Sequence, residues 1–392
     1  MENEFYTAFL ESAEKAIADG SAPRSFQLKN DPLPDSVCNG HTLDRFRSAL
    51  SKSIENLDEE LSRFEKMFSS KHNAVFWASD YNDVFESLKK LLKLHKIKSV
   101  RLPNINASTV FRELGIKYFL RDQKIELYDE GDMQFFVADM MFSDTGSLLL
   151  LNQTNKGLER LTNNKINVFF ATIDCIVGNS DWAEVFQQIT SYNTGCGSQD
   201  MLVFRGSANC NNYLFIIDNQ RTNLLQFKDL RQSLTCLNCG RCSDVCPVYQ
   251  TIGDEPYNNV FAGPVANITL PYLETVESYR HVAYACTLCG RCEEVCPISL
   301  PVRDMIVDSR QVLLSNDGVD KNDRRRLAAI RKFSSNRKKM NGYNLLKRHV
   351  LLKYLSSDYR KSHRLIPFSK ETFNKSYKKF TENGKGFPEA GV

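Results

Sequence analysis

At 392 residues, 42% of them hydrophobic and 25% charged, the chain has sequence enough for two or three domains and the composition of an ordinary globular protein, which excludes a disordered or fibrous one. The opening MENEFYTAF lacks the basic and apolar regions of a secretory signal, and no stretch nears the roughly eighteen apolar residues that a spanning helix needs; the best, Asn167 to Val177, is interrupted by Asp174. The formal charge of +4 hides an asymmetry: residues 321–385 hold 20 Lys and Arg against 4 Asp and Glu, a net of +16, so the rest carries −12.

Residues 3–19 predict a short amphipathic helix with Phe5, Phe9, Ala13, Ala16 and Ile17 on one side. Residues 21–40 hold three prolines and little periodicity, so an irregular connector is expected. From Leu43 to Phe68 the apolar residues Phe46, Leu50, Ile54, Leu57, Leu61, Phe64 and Phe68 step by three or four, which predicts one long helix packed on the next domain. From about 72 to 220 the pattern alternates. Asn73–Ser79, Ser99–Leu102 and Ile116–Leu120 read as strands, with helices over Val84–Leu94 and Ser108–Leu114 between them. Phe135–Phe142 and Ser147–Leu151 flank the turn Ser143-Asp144-Thr145-Gly146 as a hairpin or bulged strand. Asn167–Ile173, Met201–Arg205 and Tyr213–Asn219 are further strands, with a helix at Trp182–Ile189. Such alternation predicts a mostly parallel sheet covered by helices.

Next comes a phrase written twice. Cys236-Leu-Asn-Cys239-Gly-Arg-Cys242-Ser-Asp-Val-Cys246-Pro247 is followed by Cys286-Thr-Leu-Cys289-Gly-Arg-Cys292-Glu-Glu-Val-Cys296-Pro297. Both fit C-x2-C-x2-C-x3-C-P, the ferredoxin run in which three thiols hold one cubane cluster and the fourth reaches the other. Two [4Fe-4S] clusters are therefore expected, one on Cys236, Cys239, Cys242 and Cys296, the other on Cys286, Cys289, Cys292 and Cys246. Gly240 and Gly290 suit a backbone that passes close to a cluster or turns through positive φ. Arg241 and Arg291 would place a cation beside an anionic cluster, and Pro247 and Pro297 redirect the chain. Zinc is the alternative, but structural zinc sites pair two C-x2-C knuckles across a longer gap, whereas three thiols crowd one loop here. Cys38, Cys175, Cys196 and Cys210 show no paired spacing and read as reduced, buried thiols, which together with clusters favours the cytoplasm.

Between Cys246 and Cys286 lie 39 residues, in which a helix is expected from Pro271 onward with the proline in its first turn. Val248, Tyr249, Ile298, Leu300 and Val302 would give the clusters apolar cover. His281 reads as a neighbour of the second repeat or a surface residue rather than a ligand. The basic segment reads as a solvated helical arm with basic residues on its outer face or as a contact for an acidic protein partner, with peripheral contact to anionic lipid a further reading, and all are favoured over nucleic acid because no aromatic-basic nucleic-acid motif accompanies it.

The phrases ADMMFSDTGSLLLLN (138–152), INVFFATIDCIV (166–177) and YLFIIDNQRTNLL (213–225), followed by the two cysteine repeats, resemble the LUD-domain iron–sulfur proteins of bacterial lactate utilisation. The resemblance runs from about 130 to 303 and is weaker at the N-terminal helix. It implies an α/β sheet domain of the NagB/RpiA/CoA-transferase kind followed by an all-α two-cluster ferredoxin domain and a basic helical arm. The expected division is 1–70 (N-terminal helices), 71–225 (LUD domain), 226–312 (ferredoxin domain) and 313–392 (basic extension). It further implies a non-catalytic electron-transfer subunit of an L-lactate-oxidising complex, with a cysteine-rich CCG-domain protein and a smaller LUD protein as partners. The alternatives are a redox-sensing or ligand-binding protein, an LUD domain that itself turns over an acid or thioester, and an electron carrier for another 2-hydroxy acid.

In the α/β part, Asp144, Thr145, Gly146 and Ser147 form a small polar loop that suits an anion or cofactor cradle, with Ser198 and Asp200 facing the same crevice; the plainer reading is ordinary turns. The loop departs from the family's Glu-Thr-Gly-Thr, and Gly206-Ser207 stands where a Gly-Pro is common. No catalytic acid, base or nucleophile is named by any motif.

Overall fold

A computed structural model describes residues 4–19, 39–102, 116–127, 132–151, 161, 166–194, 201–206, 210–257, 263–273, 279–315, 321–336, 346, 350 and 377–378. The expected helix at 108–114 and most of the connector at 21–40 lie outside them. The chain forms two compact units, residues 1–313 and 314–392.

The first helix, α1 (Glu4–Asp19), buries Phe9, Ala13 and Ala16. The stripe expected over 43–68 is buried throughout, but on two helices instead of one, α2 (Gly40–Glu55) and α3 (Leu57–Ser69). Asn56 leaves helical geometry at φ −117°, ψ 40°, and its side-chain amide donates to the Lys52 carbonyl at 2.8 Å. That side chain competes for a backbone acceptor and closes α2. Asp58, Glu59 and Glu60 in the next turn favour a fresh helix start. Apolar periodicity passes over the break because Ile54 and Leu57 are still three apart.

After β1 (Asn73–Ala78) comes α4 (Tyr81–Leu94), whose Asp80 cap accepts from the N–H groups of Asn82 and Asp83, then β2 (Ser99–Arg101). Ile116–Leu120, expected as a strand, is instead the start of α5 (Ile116–Asp122). Ile116 and Leu120 are both buried at a spacing of four, so the short apolar run served a helix face as well as it would a strand. The strand follows it, as β3 (Glu126–Leu127). The stretch expected as one strand over 135–142 is two, β4 (Met133–Val137) and β5 (Met140–Phe142), parted at Ala138-Asp139. Then come β6 (Ser147–Leu151), β7 (Ile166–Thr172), β8 (Ile176–Val177), α6 (Ala183–Thr194), β9 (Met201–Phe204) and β10 (Asn211–Ile217).

Six strands make a wholly parallel sheet in the order β1-β10-β7-β4-β2-β3. A smaller mixed sheet, β8-β5-β6-β9, is built on the β5–β6 hairpin, in which Phe142 pairs with Ser147. The central strands are apolar on both faces, as a covered parallel sheet requires. Phe136, Phe169, Leu214 and Ile216 face the core shared with α2 and α3, while Phe135, Val168, Phe170 and Phe215 face α4 and α5. At the amino ends of three strands in register, buried amides form a chain: Asn167 donates to Asn212 and Asn212 to Asn73, each at 3.0 Å, and Asn73 donates to the Phe68 carbonyl at 3.0 Å. Linked one to the next, these amides tie the sheet to the end of α3.

The turn between β5 and β6 is gripped by α3. Glu60 accepts from Ser143, Lys71 donates to the Thr145 carbonyl, and Gly146, at φ 56°, touches the helix so closely that a Cβ there would lie 2.5 Å from backbone atoms of Met67 and Phe68.

Past the sheet the chain is helical: α7 (Thr222–Leu225), α8 (Arg241–Asp244), α9 (Pro247–Ile252), α10 (Ala266–Leu273), α11 (Arg291–Glu294) and α12 (Val302–Ser315). Pro271, expected in a first turn, lies inside α10, which begins at Ala266. Its missing N–H forgoes the bond to the Asn267 carbonyl; every residue of α10 is buried, and tertiary packing holds the helix despite that loss. The main core runs without a break from α2 through the sheet to Leu234, Ile298, Leu300 and Met305. A smaller core seats Phe9 and Ala13 of α1 on Tyr257, Leu270 and Val282. In the second unit, α13 (Lys321–Ser334) carries the basic run Arg324-Arg325-Arg326. Among the described residues no helix is long and apolar enough to cross a membrane.

Gly146→Ala is expected to destabilise the fold by roughly 2–5 kcal/mol, from left-handed strain plus overpacking. A denaturation midpoint within about 0.5 kcal/mol of the parent would contradict it. Burial pushes the Asp139 carboxyl from 3.8 to about 6, even though Leu151 donates its N–H to it at 2.8 Å. The fold therefore prefers the neutral acid: the contribution is full below 3.8 and is lost as pH rises through about 6. Asp139→Asn should flatten this pH dependence and leave the variant more stable than the parent at pH 7; equal slopes in pH-resolved unfolding would refute the assignment.

Candidate metal centres

Each cysteine loop is shaped by two left-handed residues at matching positions. Gly240 and Gly290 have φ of 78° and 83°, and Asn238 and Leu288 have φ of 50° and 58°. A Cβ on Gly240 would meet nothing within 4 Å, so conformation and not crowding calls for glycine there. Asn tolerates the left-handed region; Leu288 does so at a cost of about 1–2 kcal/mol. The loops turn backbone N–H groups onto sulfur: Leu288 donates to Cys286 Sγ at 3.3 Å, Leu300 to Cys296 Sγ at 3.3 Å and Tyr249 to Cys246 Sγ at 3.5 Å. Asn238 and Arg241 likewise serve Cys236 and Cys239.

The eight thiols fall into two groups. Cys236, Cys239, Cys242 and Cys296 line a cavity of about 260 Å³. Cys246, Cys286, Cys289 and Cys292 line a second, much smaller one. The fourth cysteine of each repeat thus stands with the first three of the other. Burial pushes the Cys236 and Cys242 thiols far up, Cys239 up to about 11 and Cys292 up to about 12. Thiols bind metal only as thiolates, so the N–H donors and nearby cations oppose this desolvation cost. Among the described residues, no three His, Cys, Asp or Glu side chains converge tightly enough to share a single ion.

Arginines lock the loops together. Arg241 is buried; its Nε donates to the Val295 carbonyl of the second loop at 3.0 Å, and its guanidinium lies 5.5 Å over the Tyr192 ring of α6. Arg291, its counterpart, is exposed. Arg310 of α12 donates to the Ala283 and Cys286 carbonyls, both at 2.8 Å. Of the expected apolar cover, Tyr249, Ile298, Leu300 and Val302 line the first cavity, while Val248 packs in the core beneath α1. His281 is half-buried with its ring 5.1 Å from that of Phe9, which also packs on Tyr257 at 5.8 Å. In this way α1 helps to cover the second group.

Sequence reasoning missed what the sheet brings to the first group. At the carboxyl ends of β7 and β10, Asp174 pairs with buried Arg221 at 2.9 Å, and the field of Asp174 reaches Cys236 while that of Arg47 from α2 reaches Cys296. No motif marks these residues, which become neighbours only through the fold. Beside them the thiol of half-buried Cys175, pushed up to about 12 by desolvation, shares a 3.1 Å contact with Thr172 Oγ1. Cys210 is buried, and its thiol donates to the Leu161 carbonyl at 3.5 Å; Cys38 and Cys196 lie outside the described residues.

In the polar loop 144–147, Asp144 accepts from the N–H and hydroxyl of Ser180 at 3.1 and 3.0 Å, and the Thr145 and Ser147 hydroxyls meet at 2.6 Å. Burial and the charge of Arg205 push the neighbouring Lys71 ammonium down. These groups are taken up largely by protein partners, and Ser198 and Asp200 lie outside the described residues.

A 4Fe-4S dicluster domain family matches residues 232–300. Proteins named lactate utilization protein B from Bacillus thuringiensis (strain Al Hakam), Bacillus cereus (strain AH187) and Bacillus anthracis (strain A0248) are each 30% identical over 212 residues, 51% of this chain and 44% of the relative. The matched part therefore spans less than half the length of those relatives. A crystal structure of a DUF162 family protein from Deinococcus radiodurans covers 41% of this chain and 97% of its own, at 14% identity and a TM-score of 0.30.

Because only φ is at stake at Gly240, Gly240→Asn should keep most of the stability and iron of the parent, whereas Gly240→Val should lose roughly 1–2 kcal/mol or more. Equal losses in thermal unfolding and iron content would show that crowding governs the position.

Proposed function

We propose that this 4Fe-4S protein, similar over half its length to lactate utilization protein B, is an electron-transfer subunit of a complex that oxidises L-lactate to pyruvate. In this reading Cys236, Cys239, Cys242 and Cys296 hold one [4Fe-4S] cluster, and Cys286, Cys289, Cys292 and Cys246 the other. The observation that carries it is the exchange of fourth cysteines between two cavities that share one pair of interlocked loops. A lone zinc would draw four sulfurs to about 2.3 Å from its centre; a 260 Å³ cavity ringed by thiols suits a larger body.

The bound clusters supply one-electron transfer. The chain's own residues hold sulfur as thiolate through N–H donation, cover it with Ile298, Leu300 and Val302, tie the two loops together through Arg241 and fasten the second loop to α12 through Arg310. Removing two electrons from a 2-hydroxy acid calls for another centre, which we assign to partners of the CCG-domain and small LUD kinds. A reducing compartment, the cytoplasm, suits the free thiols and clusters alike. The basic run of α13 is assigned to contact with an acidic partner or a membrane surface.

A strain lacking this chain should fail to grow on L-lactate alone, and growth should return with the parent gene but not with Cys242→Ala. Tagged protein from lactate-grown cells should carry CCG-domain and small LUD proteins with it. Undiminished growth of the deletion strain would overturn the assignment to lactate.

A further inference from the structure

The two cysteine groups are not equally placed. Among the described cysteines Cys289 alone is exposed, and Thr287 and Arg291 beside it are exposed too. Two large apolar side chains also face solvent nearby, Tyr284 at 48% and Val307 at 44% exposure. They belong to one patch. On α12, Arg303, Val307 and Arg310 follow at steps of four and three and so share a side of the helix. Arg303 lines the second cavity, and Arg310 lies 5.3 Å over the Tyr284 ring while its side chain holds the Cys286 carbonyl. A continuous strip thus leads from the Cys289 sulfur over Arg303 and Val307 to Tyr284. At the first loop Leu237, which stands where Thr287 does in the second, is buried, and the exposed residues Asn238, Gly240 and Asp244 offer no apolar side chain.

We propose that this strip, with the Cys286–Gly290 loop, is the docking face on which a soluble one-electron redox protein exchanges electrons with the second centre. The inference rests on the cluster reading above and adds which centre faces outward and through which residues. One electron passes between the partner's centre and the one held by Cys246, Cys286, Cys289 and Cys292, and no bond or proton moves. A redox partner, and not a second copy of this chain, fits because a copy presenting the same edge would only trade electrons between equal centres. The charges of the face cancel: Arg291, Arg303 and Arg310 stand against Glu293, Glu294 and Asp304. Docking therefore leans on Tyr284 and Val307 as apolar anchors, and suits the small, short-lived contacts of electron-transfer pairs.

The test uses anaerobically prepared, fully reduced holoprotein mixed with ferricytochrome c as probe in a stopped-flow instrument. Thr287→Trp and Val307→Glu, on different elements, should each slow cytochrome reduction about tenfold or more. Ferricyanide, small enough to reach the edge past either substitution, should be reduced at nearly the parent rate, and Leu94→Lys, far off on α4, should behave as the parent. Iron and sulfide content and the reduced-state EPR signal of each variant separate loss of a cluster from loss of docking; if one variant loses iron, the other carries the comparison. Unchanged cytochrome rates, an equal fall with ferricyanide, a matching fall in Leu94→Lys, or a change of oligomeric state in place of rate would overturn the proposal.

Discussion

The cost of holding ionised sulfur away from water governs this molecule. Eight thiols stand in two groups, and desolvation drives every one with a resolved shift toward the protonated form, which no metal centre can use. The loops answer with geometry. Left-handed residues at 238, 240, 288 and 290 swing N–H groups onto the sulfurs, and Arg241 brings a buried cation whose stem also ties one loop to the other. Strain at Leu288 is the local cost of that arrangement, and it is small beside the cost of an unsolvated thiolate.

The α/β part is built around the same demand. Its parallel sheet ends against the first group, where the Asp174–Arg221 pair and Arg47 of α2 set the local field. The main hydrophobic core is shared between the sheet and the cysteine-bearing helices, so the first group is braced by the largest packed body in the chain. The second group meets the same core through Cys292 and Cys286, is held besides by α1 through Phe9 and by α12 through Arg310, and keeps one edge in solvent.

How much of this could be read from residues alone depended on whether the signal was local. The cysteine repeats with their glycines announce their chemistry because spacing along the chain is what wraps a cluster. The central strands were plain because long β-branched and aromatic runs buried on both faces have few alternatives. Ile116–Leu120 failed as a strand because five residues with apolar ends fit either period, and one long helix became two because Asn56 breaks the backbone without disturbing the apolar stripe. The asparagine chain at 73, 212 and 167 and the Asp174–Arg221 pair were invisible, since each unites residues far apart in sequence. Gly146 stood out in the sequence only as part of a polar turn; that it touches the backbone at the end of α3 unites residues far apart in the chain and had no local sign.

The central claim is that the two groups of four thiols each hold a cubane cluster. Iron, zinc and acid-labile sulfide measured on protein purified without oxygen test it most directly. Two cubanes require about eight iron and eight sulfide per chain, four of each for every cluster. Stoichiometric zinc with no sulfide, or neither metal at all, would contradict it.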